Sequence, residues 1–429
     1  MAREAEPSRG QEGVGSGGSE PGGTESGGTE SDGSAGSGPV TEAGAARRVT
    51  RRGILAGTVG AIGGGAIGAG AAFAAMHRGD AATSAETPEK RGPEAQASPR
   101  TVAVHGIHQA GIARPETPQR FGLIAIGDIP DPADVGFLPT LGTELASIIA
   151  SPPPAILPDG PGSLTVTFGV GPRVVTARRP GAPGSAPLPT FAHDGSVDES
   201  ATGGDLLVAA YSDDPTVLPG VVAHLTALVP GYRTRWQQHC FRAPGTGTIA
   251  RNPLGFLDNI QVPHGTSELN ENVWLDDEFA GGSICVIRRL RLDTAGFRGL
   301  TVPEREDVIG RRLDGSPLSG GRPFAQVNVD AKTATGAYRI PLHAHVRAAH
   351  PSFTGSHLML RRGYAYDNGG DDAGLMFICF QRDLRTFVAT QSRLDDLDHL
   401  MHFVTPTGSA TFLVLPGYTA KTPIGRSFL

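Results

Sequence analysis

The sequence predicts an α+β fold with antiparallel sheets, built from two similar β-α-β-β-α-β halves. Short segments rich in β-branched and aromatic residues alternate with segments of helical apolar spacing. Several neighbouring strands have no crossover helix between them, which argues against a doubly wound parallel sheet. No sequence repeat accompanies the two halves, so the duplication is inferred from element order alone.

The first half contains four predicted strands and two predicted helices. The strands are expected at 121–126, 163–169, 206–211 and 232–241, and the first two are short, rich in β-branched or aromatic residues and bounded by Gly or Pro. The first helix, 140–150, ends before Pro152, and the second, 213–228, ends before Gly231.

The same kinds of element follow in the second half. Strands are predicted at 283–292, 374–381 and 410–415. A short helix at 303–311 begins after Thr301, and a longer helix is expected at 383–393. With a prior of about 150 residues per domain, we expect one module at 101–262 and another at 263–429.

The residues that precede position 101 differ from the rest of the chain. Residues 1–45 are rich in Gly, Ser, Glu and Thr and have no aromatic residue, so they are predicted to be disordered. Residues 81–100 are predicted to be a linker, because Pro, Ala, Glu, Ser and Thr dominate them.

Residues 46–80 indicate export. The segment Thr50–Leu55 contains paired arginines and resembles a twin-arginine signal, and a Gly/Ala-rich apolar stretch follows it. The alternative is a membrane anchor, since about 20 apolar residues can span a bilayer. We favour the signal, which predicts an extracellular, periplasmic or envelope-associated protein. Twin-arginine export carries folded proteins, often with a cofactor.

Charge and cysteine content narrow the function classes. The net charge is −6 and the pI is about 6.1, without the basic stripe that nucleic-acid binding needs. Cys240, Cys285 and Cys379 form no C-x-x-C pair, which argues against structural zinc. The sequence leaves open whether two of these cysteines form a disulfide.

Two short segments carry candidate site residues. His343, His345 and His350 crowd into IPLHAHVRAAHP, which suggests zinc or a non-haem metal, although no acidic ligand lies nearby. On a strand, His343 and His345 would share one face. In LMLRRGYAYD, Arg361 follows three apolar residues and either reaches solvent or points into a polar pocket.

Taken together and in order, several motifs resemble the dye-decolourising peroxidase family. They are HGIHQAGI (105–112), GGDLLVAAYSDDP (203–215), RNPLGFLD (251–258), GGSICVIRRLRLD (281–293), VIGRRLDGSPL (308–318), AHVRAAHP (344–351), LRRGYAYD (360–367) and PTGSATFLVLPG (406–417). The resemblance covers most of the chain after residue 100. It implies two ferredoxin-like α+β modules, with haem b in the C-terminal module.

The resemblance also implies roles for three residues. His345 is the expected proximal ligand of the haem iron, Asp258 the distal acid, and Arg361 a distal arginine that serves both catalysis and haem binding. These types suit the chemistry: an imidazole ligates iron, a carboxylate moves a proton between peroxide oxygens, and a guanidinium stabilises developing charge.

Supporting residues are less determined. The proximal imidazole normally donates its other N–H to a carboxylate or carbonyl, and Asp395, Asp396 and Asp398 are all candidates. One of three arginines on the strand 283–292 is a candidate partner for a haem propionate: Arg288, Arg289 or Arg291.

One residue departs from the family pattern. The family's distal loop usually continues Asp-Gly, whereas this chain has Asp258-Asn259. Asn is the non-glycine residue that best tolerates positive φ, so we expect Asn259 to adopt it. The added side chain would narrow the pocket or shift Asp258, which bears on activity more than on haem binding.

The leading functional hypothesis is an exported haem b peroxidase. It would use hydrogen peroxide to oxidise phenolic or dye-like donors, and the twin-arginine translocase would be its partner during export. The alternatives are a haem-handling protein of iron acquisition, similar to a deferrochelatase, and a haem-binding protein with little turnover. No nucleic-acid partner is expected, and the sequence leaves a homo-oligomer open.

Overall fold

The computed structural model describes residues 101–429, which belong to one compact unit. The predicted tail (1–45), signal (46–80) and linker (81–100) lie outside the described residues. The described part contains twelve strands, nine α-helices and five short 3-10 helices.

The strands are β1 (Phe121–Asp128), β2 (Thr165–Val170), β3 (Leu206–Ser212), β4 (Arg233–Phe241), β5 (Gly245–Thr246), β6 (Ile249–Arg251), β7 (Leu257–Asp258), β8 (Ser283–Leu292), β9 (Leu360–Arg361), β10 (Tyr364–Asp367), β11 (Ala373–Gln381) and β12 (Val404–Val414). The helices are α1 (Leu138–Ala150), α2 (Pro172–Arg178), α3 (Leu218–Thr226), α4 (Gly265–Asn272), α5 (Thr294–Gly299), α6 (Val302–Ile309), α7 (His345–Ala348), α8 (Pro351–Thr354) and α9 (Leu384–Leu397).

Eight strands form one closed antiparallel sheet. Their order is β10-β4-β1-β3-β2-β12-β8-β11, and β10 also pairs with β11, which closes the ring. The short strand β9 pairs with Cys379 and Phe380 of β11, on the same edge as β10. Strands β5, β6 and β7 form a separate small sheet.

Each half of the closed sheet has the ferredoxin-like order, in which the fourth strand lies beside the first and the third lies between first and second. The first half reads β4-β1-β3-β2 and the second reads β12-β8-β11-β10. The predicted α+β class with antiparallel ferredoxin-like halves is therefore confirmed. The sequence missed β10, the second strand of the second half. The module boundary at residue 262 stays a prediction.

Alternation along β8 separates an inner layer from an outer layer. Cys285 and Ile287 belong to the apolar cluster that is shared by strands around the ring and fills its interior. Arg288, Leu290 and Leu292 face the other way and line a cavity outside the ring. The same strand thus supplies both the core and a wall of the candidate site.

Helices cover the outer face of each half. In α3 the buried residues are Leu218, Val221, Val222 and Leu225, the spacing of an apolar stripe. In α9 the buried residues are Thr386, Phe387, Thr390 and Gln391. Phe387, Thr390 and Gln391 line the outer cavity, so the face that the helix buries is partly polar.

The N-terminal segment of the described chain joins the two halves. Strands β2 and β12 share only two residue pairs. Beside them, buried Gln109 donates from Nε2 to the carbonyls of Phe168 (2.8 Å) and Leu415 (2.9 Å). Its Oε1 accepts from the Phe168 amide at 2.8 Å. This side chain therefore supplies hydrogen bonds of the kind that further strand pairing would have made.

A buried ion pair also connects the halves. Arg288 of β8 binds both carboxylate oxygens of Asp194, which lies in the connection between α2 and β3. The Arg288 and Asp194 side chains are 1% and 6% exposed. Removing one partner of such a pair leaves an uncompensated buried charge, which costs more than the pair itself contributes.

We predict that Asp194→Ala lowers the free energy of unfolding by about 3–5 kcal/mol, because Arg288 loses its buried counter-ion. Urea denaturation followed by circular dichroism measures this change. The matched control is Asp371→Ala, since Asp371 is 97% exposed and 3.8 Å from the Arg291 guanidinium. The control should show no measurable change, and equal stabilities for the two variants would contradict the prediction.

Two further observations concern the described residues. Within 101–429, no helix has the length and apolar character to cross a membrane. Cys240, Cys285 and Cys379 are buried free thiols.

Candidate functional site

A large cavity lies between the outer face of β8 and β11, helix α9, and the segments that carry His345 and Asp258. Its volume is about 210 Å³, and it is partly open to solvent. Its walls are mainly apolar, with contributions from Leu290, Leu375 and Phe377 on the sheet. Predicted site residues His345, Asp258 and Arg361 all line it.

His345 is held by a buried carboxylate. Its Nδ1 lies 2.6 Å from Oδ2 of Asp398, whose side chain is fully buried. The other oxygen of Asp398 accepts from the Leu400 amide at 2.9 Å. This arrangement fixes the imidazole with Nε2 free of any protein hydrogen bond among residues 101–429. Of the three candidate partners, the structure selects Asp398.

The other two candidates face elsewhere. Asp395 accepts from His193 at 3.1 Å and from the Ala192 amide at 3.0 Å, while Asp396 is exposed. His343 and His345 do not share the face of a strand, because His343 lies in a turn and His345 begins α7. Since α7 packs against the end of α9, His345 and Asp398 meet although 53 residues separate them.

Opposing effects set the pKa of His345. Burial lowers the pKa, but the charge and hydrogen bond of Asp398 raise it, so the net shift is upward. The negative charge of Asp258 also raises the pKa of His345, and the positive charge of Arg361 lowers it.

Asp258 and Arg361 form the second polar group of the cavity. Arg361 Nη2 lies 3.7 Å from Asp258 Oδ1, and Arg361 Nη1 donates to the Gln261 carbonyl at 3.1 Å. Their side chains are 34% and 26% exposed, so the pair is accessible from the cavity. Asp258 lies at the end of β7, and Arg361 lies on β9 beside Cys379 of β11.

Asn259 adopts the conformation that the sequence predicted, with φ of 60°. Its amide donates to Asp258 Oδ1 at 2.6 Å, which ties the carboxylate to the turn. Asn259 is buried, and its Oδ1 has no hydrogen-bond partner among the described residues. Asparagine thus preserves the turn, while its side chain adds an unpartnered acceptor beside Asp258.

The three arginines proposed as propionate partners are paired with carboxylates or exposed. Arg288 lines the cavity but is bound to Asp194, and Arg289 is bound to Asp372. Arg291 is 41% exposed.

Sequence reasoning missed Arg311. It is 4% exposed and lines the cavity, and its Nη2 has no partner among the described residues. Burial and the neighbouring Arg361 lower its pKa, so its charge lacks compensation. The available signal was its place directly after Gly310, a helix-ending glycine with φ of 89° that follows apolar Ile309.

The three-histidine metal alternative finds no support in the geometry. Across residues 101–429, no group of three or more His, Cys, Asp or Glu side chains is arranged to hold a metal ion. His343 instead stacks on His399, with ring centroids 3.7 Å apart, and His350 Nδ1 accepts from the Ser352 amide.

The cavity residues fit a haem. A single imidazole nitrogen without a protein partner faces a wide, mainly apolar cavity, as one axial ligand requires. Arg311 supplies a buried cation without a carboxylate, which an anionic group such as a propionate would compensate. The Asp258–Arg361 pair provides a proton carrier and a fixed cation within the same cavity.

Comparisons with known proteins agree on one family. The family model described as "Dyp-type peroxidase, C-terminal" matches residues 249–419. A curated relative, "Dye-decolorizing peroxidase" of Thermobifida fusca, is 34% identical over 312 residues, covering 63% of this chain and 70% of that protein. "Deferrochelatase" of Yersinia pestis is 30% identical over 366 residues, covering 73% and 81%.

A solved structure is similar over nearly its whole length. The oxyferrous/water mixed complex of DtpA from Streptomyces lividans is 30% identical and has a TM-score of 0.71. The match covers 77% of this chain and 98% of that one.

Proposed function

Since the chain belongs to the dye-decolourising peroxidase family, we propose that it is a haem b peroxidase that oxidises phenolic or dye-like donors with hydrogen peroxide. The observation that carries the proposal is the placement of His345, Asp258 and Arg361 on the walls of one mainly apolar cavity. The relatives add support, because one is named a peroxidase and another was captured in an oxyferrous state, which requires iron.

His345 would ligate the iron of the haem through Nε2. Asp398 accepts the Nδ1–H, which fixes the tautomer and the ring direction and makes Nε2 more basic. Arg361 and Arg311 would compensate negative charge on the cofactor, Arg311 with its unpartnered Nη2. Haem supplies the redox chemistry that splits the peroxide O–O bond and stores the oxidising equivalents.

Asp258 would transfer the proton. Its carboxylate takes a proton from one peroxide oxygen and returns it to the other, so that the departing oxygen leaves as water. The Asn259 amide and Arg361 hold the carboxylate before the transfer. Arg361 also stabilises the negative charge that develops on the departing oxygen, because its position is fixed by the Gln261 carbonyl.

A second candidate function is iron release from haem. The relatives named "Deferrochelatase" favour it, with the Y. pestis protein matched over 81% of its length. Such a protein would bind haem in the same cavity with the same His345. The two functions differ in the product, since deferrochelation yields iron and an intact iron-free porphyrin, whereas a peroxidase yields oxidised donor.

We predict that Asp258→Ala and Arg361→Leu retain haem but lose reaction with peroxide. Removal of the proton carrier should lower kcat/KM for peroxide by about 10²–10⁴-fold, because general acid–base transfer contributes that much. Stopped-flow absorbance of the Soret band after addition of peroxide measures the loss, and donor oxidation confirms it.

The control for this prediction is Asp396→Ala, which removes an exposed carboxylate that does not line the large cavity. It should react with peroxide like the wild type. Full activity of Asp258→Ala would contradict the assigned proton transfer. Iron-free porphyrin as the main product of the wild type would favour the second candidate instead.

We also propose that the protein is exported through the twin-arginine pathway. The support is the Thr50–Leu55 motif and the apolar stretch that follows it, which lie outside the described residues. Export of a folded protein suits an enzyme that carries a cofactor.

We predict that the double change Arg51→Lys and Arg52→Lys keeps the protein inside the cell, because the pathway's receptor reads the paired arginines. Cell fractionation in a bacterial host with this pathway measures the distribution. The matched control changes the preceding pair, Arg47→Lys and Arg48→Lys, and should leave export intact. Unchanged export of the first variant, or retention of the wild type in the membrane, would contradict the proposal.

A further inference from the structure

A second, smaller cavity adjoins the large one at Asp258. It measures about 20 Å³, enough for about one water molecule. Asp258 and Asn259 line both cavities, so they contribute to the wall that the two share. Exposed Arg251 also lines the small cavity, which places part of it near the protein surface.

Two residues that line this cavity each carry a buried polar atom without a partner among the described residues. One is the donor Nη1 of Arg242, a residue that is 6% exposed and whose Nη2 donates to the Thr248 carbonyl. The other is the acceptor Oδ1 of Asn259, which is 4% exposed. Exchanging the oxygen and nitrogen of the Asn259 side-chain amide would only replace an unpartnered acceptor with an unpartnered donor.

Unpartnered buried polar groups are costly, and a water molecule is the usual remedy where space and polar partners allow. Here the space fits about one water, and a donor and an acceptor are both available. Asp258 adds a third partner, since only its Oδ1 is bonded to a protein amide. The lining therefore has the two to four polar partners that a buried water needs.

The proposed reaction requires protons on this side of the protein. Reduction of one hydrogen peroxide to two water molecules consumes two electrons, which the aromatic donor supplies, and two protons. Asp258 can move a proton between the peroxide oxygens, but that transfer brings in none from outside. A phenolic donor oxidised away from the haem releases one proton to solvent with each electron, so two protons must return from solvent to the distal side.

We propose that the small cavity holds an ordered water, bound by Arg242 Nη1 and Asn259 Oδ1, that passes protons from solvent to Asp258. This inference rests on the proposed peroxidase function and adds two positioning residues to it, Arg242 and Asn259. Neither touches peroxide in this role, since both act through the water. The asparagine that replaces the family's usual glycine thereby gains a function for its side chain.

Gly363 offers a way to expel the water without disturbing the fold. It lines the small cavity, and a Cβ built there would lie 3.5 Å from Leu375 Cδ1, an ordinary contact distance. Gly363→Ala and the larger Gly363→Val would thus occupy the water's space. The matched control is Gly299→Ala. Gly299 lies in α5 and does not line the small cavity, and a Cβ added there meets nothing within 4 Å.

The experiment combines crystal structures of the haem-loaded wild type and variants with steady-state turnover in H₂O and D₂O. We expect one water within hydrogen-bond distance of Arg242 Nη1 and Asn259 Oδ1 in the wild type. In the Gly363 variant that lacks this water, kcat should fall at least about tenfold and the solvent isotope effect should rise. Its Soret spectrum and melting temperature should match those of Gly299→Ala, which a purely structural defect would not allow.

A dry small cavity in an active wild type would overturn this inference alone. So would a Gly363 variant that has lost the water but keeps the wild-type kcat and isotope effect. A wild type that binds haem but does not turn over peroxide and donor would contradict the proposed function itself. The two failures are therefore distinguishable.

Discussion

The hydrogen bond between His345 and Asp398 is the interaction on which the site depends. It joins the start of α7 to the end of α9, and its carboxylate is fully buried and held by the Leu400 amide. Because one carboxylate oxygen is occupied by a backbone amide, the other has a fixed direction. The imidazole consequently presents Nε2 to the cavity as a single, oriented ligand.

The closed sheet explains why this ligand can face a distal pair across a cavity. The interior of the ring is filled by apolar side chains, so the outer face of β8 and β11 is available as a rigid wall. Asp258 and Arg361 come from short strands at the margin of this wall and are held by backbone groups of Asn259 and Gln261. A rigid wall with short peripheral strands keeps polar groups in place inside an apolar cavity, which preorganised charge stabilisation requires.

Much of the fold was predictable from sequence because most strands are short apolar runs between glycine or proline. Strand β8 agrees with its prediction at both ends. The short strand β10 was missed because YAYD is only four residues long and follows two arginines. Helix α9 was also predicted, and its buried face combines Phe387 with the polar residues Thr390 and Gln391, which line the cavity. Motif resemblance indicated Asp258, His345 and Arg361. The choice of Asp398 depends on a contact between residues 53 positions apart, which no local pattern encodes. For Arg311 the sequence offered only the helix-ending glycine before it.

The most direct test of the account is the haem spectrum of His345→Ala. The purified protein is loaded with haem, and its Soret band and haem content are compared with those of the wild type and of His343→Ala. The account predicts a histidine-ligated spectrum for the wild type and for His343→Ala, whose ring stacks on His399. It predicts loss of that spectrum and of most bound haem for His345→Ala. Wild-type haem content and an unchanged Soret band in His345→Ala would contradict it.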